Sequence, residues 1–273
     1  MSQINSFLIQ VLNEDIGSGD LFYNLIDDKK AKAKILCKES GILSGIEYAL
    51  VLCEMKEIEI QLNYQDGDII SKGDIILTLE GNFKDLLQIE RTLLNTLQHS
   101  SGIATQTNRF VKKLSNSDIK LLDTRKTRPL LRTLEKYSVR NGGGYNHRMG
   151  LYDTLMLKDT HLAGIKDIKS FLETARKNIP WTSKIEVECE NVAQCKEMLS
   201  LDVDIIMCDN MSTSDIKEVL EYRNKNSIKT LIECSGNMDE KRLDQLKDIK
   251  IDAISVGSIT HQATWLDFSM KML

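Results

Sequence analysis

Hydrophobic and polar positions follow one rhythm over roughly the first hundred residues and another after residue 118. Ile4, Phe7, Leu8, Val11 and Leu12 recur at the three- and four-residue spacing of one helical face, whereas Ala31, Ala33, Ile35 and Cys37 alternate with polar neighbours as in a strand. Residues 85–114 predict a long helix whose apolar stripe is Leu86, Ile89, Leu93, Leu94 and Leu97. This first part reads as an irregular α+β region.

Beyond residue 118 short apolar runs recur at 119–123, 154–158, 184–188, 204–208, 230–234 and 252–256, separated by helical patterns such as 165–179 and 214–224. Near-continuous apolar strands alternating with amphipathic helices predict a parallel sheet covered by helices. The count is about six or seven βα units, short of the eight that close a complete barrel. The expected class is α/β, with a TIM-like incomplete parallel α/β barrel.

Composition narrows the function. A chain of 273 residues with 41% hydrophobic content buries a substantial core. The net charge of −4 argues against a general nucleic-acid or anionic-membrane binder and for a small-molecule partner. Six cysteines, at 37, 53, 189, 195, 208 and 234, show no zinc-like spacing and fit a reducing, cytoplasmic setting. The first residues carry no export signal, and no stretch reaches eighteen apolar residues in a row.

Chemistry collects where the strands end. After successive strands come Asp123, Thr124, Arg125 and Lys126; Lys158 and Asp159; Glu188; Asp209 and Asn210; Ser235 and Gly236; Gly257 and Ser258. In a parallel barrel these C-terminal ends meet on one face, where active sites lie. Between Asp123 and Gly150 seven Arg or Lys residues stand against two acids, which predicts an anionic ligand gripped by guanidinium forks. Arg132, Lys136 and Arg140, four apart, are assigned to the solvated face of a helix. Ser235-Gly236 and Gly257-Ser258 follow the last two strands, where barrels commonly bind phosphate. Glu188 and Asp209, on neighbouring strands, either act as a general acid and base or hold a divalent cation, magnesium if phosphates are close. The glycine run in NGGGYNHRMG (141–150) is expected to let backbone pack near the pocket, so that His147 and Arg148 enter it at a fixed angle.

The run DTRKTRPLLRTLEKYSVRNGGGYNHRMGLYDTLMLKDTH (123–161) resembles the signature of the quinolinate phosphoribosyltransferases, also called carboxylating nicotinate-nucleotide pyrophosphorylases. EDIGSGD (14–20), ERTLLNTLQHSSGIAT (90–105), IEVECEN (185–191), DIIMCDNMS (204–212), ECSGN (233–237) and ISVGSITH (254–261) extend the likeness over nearly the whole chain.

The resemblance implies an α/β sandwich over 1–105, completed by 262–273, joined to a barrel over 106–261. It implies transfer of phosphoribosyl from phosphoribosyl pyrophosphate to the ring nitrogen of quinolinate, followed by loss of the 2-carboxylate. The products are nicotinate mononucleotide, CO2 and pyrophosphate, a step of de novo NAD synthesis, and magnesium accompanies the sugar substrate. Members work as dimers or multiples of dimers with shared sites. Arg125, His147 and Arg148 would hold the carboxylates of quinolinate, with Thr124, Lys126 and Lys158 beside them and Arg91 reaching in from the neighbouring subunit. Glu188 and Asp209 would face the ribose and the magnesium, directly or through water. Ser235, Gly236, Asn237, Val256, Gly257, Ser258 and His261 would surround the 5-phosphate. Lys126, Lys158, Glu188 and Asp209 carry the catalytic assignment.

Where the family usually reads TRKTTPGLR this chain has TRKTRPLLR, with Arg128 for threonine and Leu130 for glycine. KDTH at 158–161 and ECSG at 233–236 stand for the commoner KDNH and EASG. A paralogous branch associated with molybdenum-transport operons shares much of the motif set. Residues 54–81, with Lys56 beside a methionine, also resemble a biotinyl or lipoyl carrier, but such a domain would not require the long β-α region. Lys56 is instead placed near a helix C-terminus.

Overall fold

The computed structural model describes residues 3–273. Helix α1 (Gln3–Ile16) leads to β1 (Lys30–Cys37), β2 (Gly41–Ile42), α2 (Ile46–Glu54), β3 (Glu59–Leu62), β4 (Ile69–Ile70) and β5 (Ile75–Asn82), then to the long α3 (Phe83–Lys113). The regular region follows as β6 (Lys120–Leu122), α4 (Arg132–Asn141), β7 (Leu155–Leu157), α5 (Asp159–Leu162), α6 (Ile168–Asn178), β8 (Ile185–Cys189), α7 (Val192–Ser200) and β9 (Ile205–Asp209). It closes with α8 (Thr213–Lys225), β10 (Leu231–Ser235), α9 (Glu240–Leu246), β11 (Ala253–Ser255), α10 (Ser258–His261) and β12 (Phe268–Met272).

Two compact units form. The first takes Met1–Asn108, Thr133–Gly143 and Ala263–Leu273; the second takes Arg109–Arg132 and Gly144–Gln262. In the first, an antiparallel sheet runs in the order β12-β1-β5-β3, so a strand from the chain's end pairs with β1 near its beginning. Alternation along β1 turns Ala33, Ile35 and Cys37 into a core shared with Leu8 and Leu12 of α1, Leu52 of α2 and Leu86, Ile89 and Leu93 of α3. Each buried leucine or isoleucine among these contributes about 1.5–3 kcal/mol of transfer free energy.

Residues 133–143 fall in this first unit rather than in the barrel range read from the sequence, because Leu134 and Tyr137 of α4 are part of its core. The expected solvated face of that helix is corrected for the same reason. Lys136 is fully buried and Arg132 half-buried, and only Arg140 is exposed. The glycine run also acts differently than expected. A Cβ on Gly142 would lie 2.4 Å from the Ala104 carbonyl oxygen, so this glycine permits close approach to α3. Gly143, at φ +89°, ends α4 in the left-handed region that favours glycine.

In the second unit the six parallel strands run β6-β11-β10-β9-β8-β7. A single parallel bridge from Leu122 to Tyr145 extends the β6 edge. Ile185 and Val187, Ile206 and Cys208, and Ile232 and Cys234 are buried, and Cys195 of α7 lies 4.0 Å from Cys208, which marks that face of the sheet as the helix-covered one. The intervening residues, Glu186 and Glu188, Met207 and Asp209, Glu233 and Ser235, therefore point to the opposite, concave face. No helix among the described residues is long and apolar enough to cross a membrane.

Candidate active site

The second unit places most of the sequence-predicted residues at strand ends on this concave face. At the end of β6, buried Asp123 accepts hydrogen bonds from the His147 backbone N–H (2.9 Å) and from the Asn146 side chain (2.6 Å). These bonds lay residues 145–148 along β6. Arg148 is buried, and its Nη1 donates to the Thr154 carbonyl at 3.1 Å. Burial, and then the positive charge of Arg125, lower the Arg148 pKa, while Glu186 and Asp153 oppose that shift. Two guanidinium groups thus share one region, an arrangement that an incoming carboxylate would relieve.

Neighbouring strand ends are linked by side chains. Lys158, just after β7, forms an ion pair with Glu188 of β8. Asp209 of β9 accepts from Ser235 Oγ of β10 at 2.6 Å and from Asn210 Nδ2 at 2.8 Å. Asn237 Nδ2 donates to Asn210 Oδ1 at 3.0 Å. Gly236 stands at φ +89°, and a Cβ there would lie 2.3 Å from Asn210 Oδ1, so this turn requires glycine for both reasons.

Beyond β11, a Cβ on Gly257 would meet Lys126 Cδ at 3.1 Å and His261 Nε2 at 3.2 Å, which puts these three residues together. Thr260 Oγ1 donates to the Lys126 carbonyl at 3.2 Å, and Thr124 Oγ1 accepts from the Lys126 N–H at 3.0 Å. Val256 is buried with its N–H bonded to Leu122, and Ser258 opens α10 half-buried. Arg128, the departure noted in the sequence, donates to the Thr260 carbonyl at 3.4 Å, so it clips the loop after β6 to α10. Arg132 donates to Thr127 Oγ1 and to the Met149 carbonyl. Arg91 lies exposed on α3 in the first unit.

Sequence reasoning missed the floor of this site. Glu186 and Glu233 lie one pleat below Glu188 and Ser235 and approach one another from β8 and β10. His147 Nε2 is 3.2 Å from Glu186 Oε1 and 3.5 Å from Glu233 Oε2. Burial, then the charge of Glu186, push the Glu233 pKa up to about 7, against the opposing effects of His147 and Ser255. The two-residue period of IEVE and of ECS carried this signal, since Glu186 shares a face with Glu188 and Glu233 with Ser235.

This arrangement of cationic forks, paired carboxylates and tight glycine turns accompanies a match along the whole chain. Residues 19–101 match the family description of the quinolinate phosphoribosyl transferase N-terminal domain, and residues 103–271 match that of the C-terminal domain. The chain belongs to the quinolinate phosphoribosyltransferase family. A protein of Methanocaldococcus jannaschii, named as a probable carboxylating nicotinate-nucleotide pyrophosphorylase, is 39% identical over 96% of this chain and 94% of its own length. A Bacillus subtilis protein of the same name is also 39% identical, over 99% of this chain and 93% of its own. The crystal structure of NadC from Streptococcus pyogenes superposes with a TM-score of 0.92 at 41% identity, covering 99% of this chain and 96% of that one.

Within this family framework the donor set at the rim suits a hard cation. Glu188 and Asp209 offer carboxylate oxygens from adjacent strands, each only half-buried. Among the described residues, the cluster close enough to ligate a metal outright is His147, Glu186 and Glu233 on the floor.

Proposed function

We propose that this protein transfers the phosphoribosyl group of phosphoribosyl pyrophosphate to the ring nitrogen of quinolinate and releases the 2-carboxylate, yielding nicotinate mononucleotide, pyrophosphate and CO2 for NAD synthesis. The observation that carries the reading is the nearness of Arg125 to Arg148 in the same unit whose strand ends hold Lys158, Glu188 and Asp209. A pyridine dicarboxylate matches two guanidinium forks, and a pyrophosphorylated sugar matches lysine and carboxylates.

In this reading Arg125 and Arg148 bind and orient the dicarboxylate, with Thr124 and His147 beside them. Lys126 and Lys158 carry the charge that meets the departing pyrophosphate. As that bond breaks, positive character develops at the ribose carbon, and Glu188 and Asp209 are fixed where they can stabilise it. Lys158 is ion-paired to Glu188 before substrate arrives, so neither side chain must search for its position. Ser235, Gly236, Asn237, Val256, Gly257, Ser258 and His261 form the phosphate end. Once the ring nitrogen is alkylated, its positive charge stabilises the carbanion left by decarboxylation, so the protein's part is orientation and exclusion of water.

Magnesium would be held by Glu188 and Asp209, directly or through water, and would neutralise charge on the leaving pyrophosphate. Arg91 would complete the site of a neighbouring copy, which makes the working form a dimer or a multiple of dimers.

The test is a turnover assay with phosphoribosyl pyrophosphate and magnesium, offering quinolinate and nicotinate separately. Nicotinate mononucleotide formed from quinolinate and not from nicotinate is expected. Turnover of nicotinate alone would overturn the substrate assignment.

A further inference from the structure

Three titratable groups meet beneath the rim: the His147 imidazole, Glu186 of β8 and Glu233 of β10, with ligand atoms within 4.8 Å of one another. Both carboxylates are essentially excluded from solvent, at 0% and 2% exposure. Burying two carboxylates side by side is costly unless something bridges them. A metal ion and a shared proton are the two candidates.

The imidazole decides between them. The Arg148 backbone N–H donates to His147 Nδ1 at 2.7 Å, so Nδ1 presents a lone pair and carries no proton. A neutral ring then has its proton on Nε2, the atom facing Glu186 and Glu233. A metal ion at Nε2 would require that atom's lone pair, which a neutral ring with an unprotonated Nδ1 does not offer. The proton is the bridge.

Both ring nitrogens are therefore engaged within the protein, one on the floor and one on the backbone that carries Arg148. We propose that Glu186 and Glu233 are positioning residues, which hold the Nε2–H of His147 so that Nδ1 locks the Arg148 backbone and presents the Arg148 guanidinium to a substrate carboxylate. This rests on the quinolinate reading above. Groups facing the cluster include Asp123 on the His147 backbone, Ser255 beside Glu233, and Arg125 and Asp153 beside Arg148. Of these, Arg125 is the group Arg148 must work with to clasp a dicarboxylate.

The experiment compares Glu186→Leu, Glu233→Leu and the conservative Glu186→Gln with the wild type in steady-state kinetics at saturating magnesium. Gln retains an oxygen that accepts from Nε2–H. The Leu variants are expected to raise the quinolinate KM about tenfold, the scale of a lost hydrogen bond to an ionised group. Their KM for phosphoribosyl pyrophosphate should stay within about twofold, and Glu186→Gln should recover most of the quinolinate KM. Equal changes in both KM values, or an unchanged quinolinate KM, would overturn the positioning role.

If the Leu variants do not fold, 15N NMR of the imidazoles in the wild-type protein, which has four histidines, reads the same claim. A protonated Nε2 and an unprotonated Nδ1 at His147 support it; the opposite tautomer, or stoichiometric metal bound at Nε2, overturns it. Lack of wild-type turnover with quinolinate would instead overturn the substrate reading, while the tautomer still reports on the cluster.

Discussion

Glu233 shows how much a single buried carboxyl can change the molecule's response to pH. Its pKa is pushed from 4.5 up to about 7, first by burial and then by Glu186. Between those two values the folded protein keeps a proton that the unfolded chain has released, so stability falls as pH rises through this window. A shift of that size corresponds to a loss of up to about 3 kcal/mol. Glu233→Gln cannot ionise and should lack this loss. Urea unfolding at pH 5 and pH 8 is expected to show the wild type losing ground to the variant at the higher pH, and a difference independent of pH would contradict it. Legibility differed sharply among residues. Glu188 and Asp209 could be found because they end strands, whereas Glu186 and Glu233 lie within apolar runs, where only their two-residue spacing from rim residues betrays them. Lys136 was misread because spacing of four marks a helical face without saying which face is buried.

At the scale of elements the regular region was the easier half. Apolar runs such as 184–188 and 204–208 became β8 (Ile185–Cys189) and β9 (Ile205–Asp209), displaced by one residue. Periodicity is a local property and survives in any tertiary setting. Membership is not local: α4 is amphipathic by pattern, but only the packing of Leu134 and Tyr137 shows that it belongs to the first unit. The loop between β6 and α4 carries a visible strain. Leu130, where the family usually has glycine, stands at φ +64° and is 89% exposed. The left-handed conformation costs an ordinary side chain about 1–2 kcal/mol, part of which glycine's freedom in the unfolded chain would cancel. Leu130→Gly is expected to stabilise the protein by about 0.5–1 kcal/mol, raising Tm by roughly 2 °C in thermal melts. A lower Tm would mean that contacts of the leucine outweigh its strain.

For the whole molecule, the sequence disclosed family and architecture because its six motif blocks keep their order from residue 14 to residue 261. It did not disclose whether copies of the chain associate, since an exposed residue such as Arg91 on α3 carries no mark of serving another chain. If Arg91 serves a neighbouring copy, mixing inactive Arg91→Ala and Arg148→Ala subunits should restore part of the activity through hybrid sites. Verified subunit exchange without recovery would count against shared sites.

The central claim is that one rim clasps a pyridine dicarboxylate, joins it to the activated sugar and releases one carboxylate. Quinolinate labelled with carbon-13 in its 2-carboxylate tests this most directly, with labelled CO2 and pyrophosphate measured together. The account predicts equal amounts of both, formed only when phosphoribosyl pyrophosphate is present and lost in Arg125→Ala. Pyrophosphate released without labelled CO2, or label released without the sugar substrate, would contradict it.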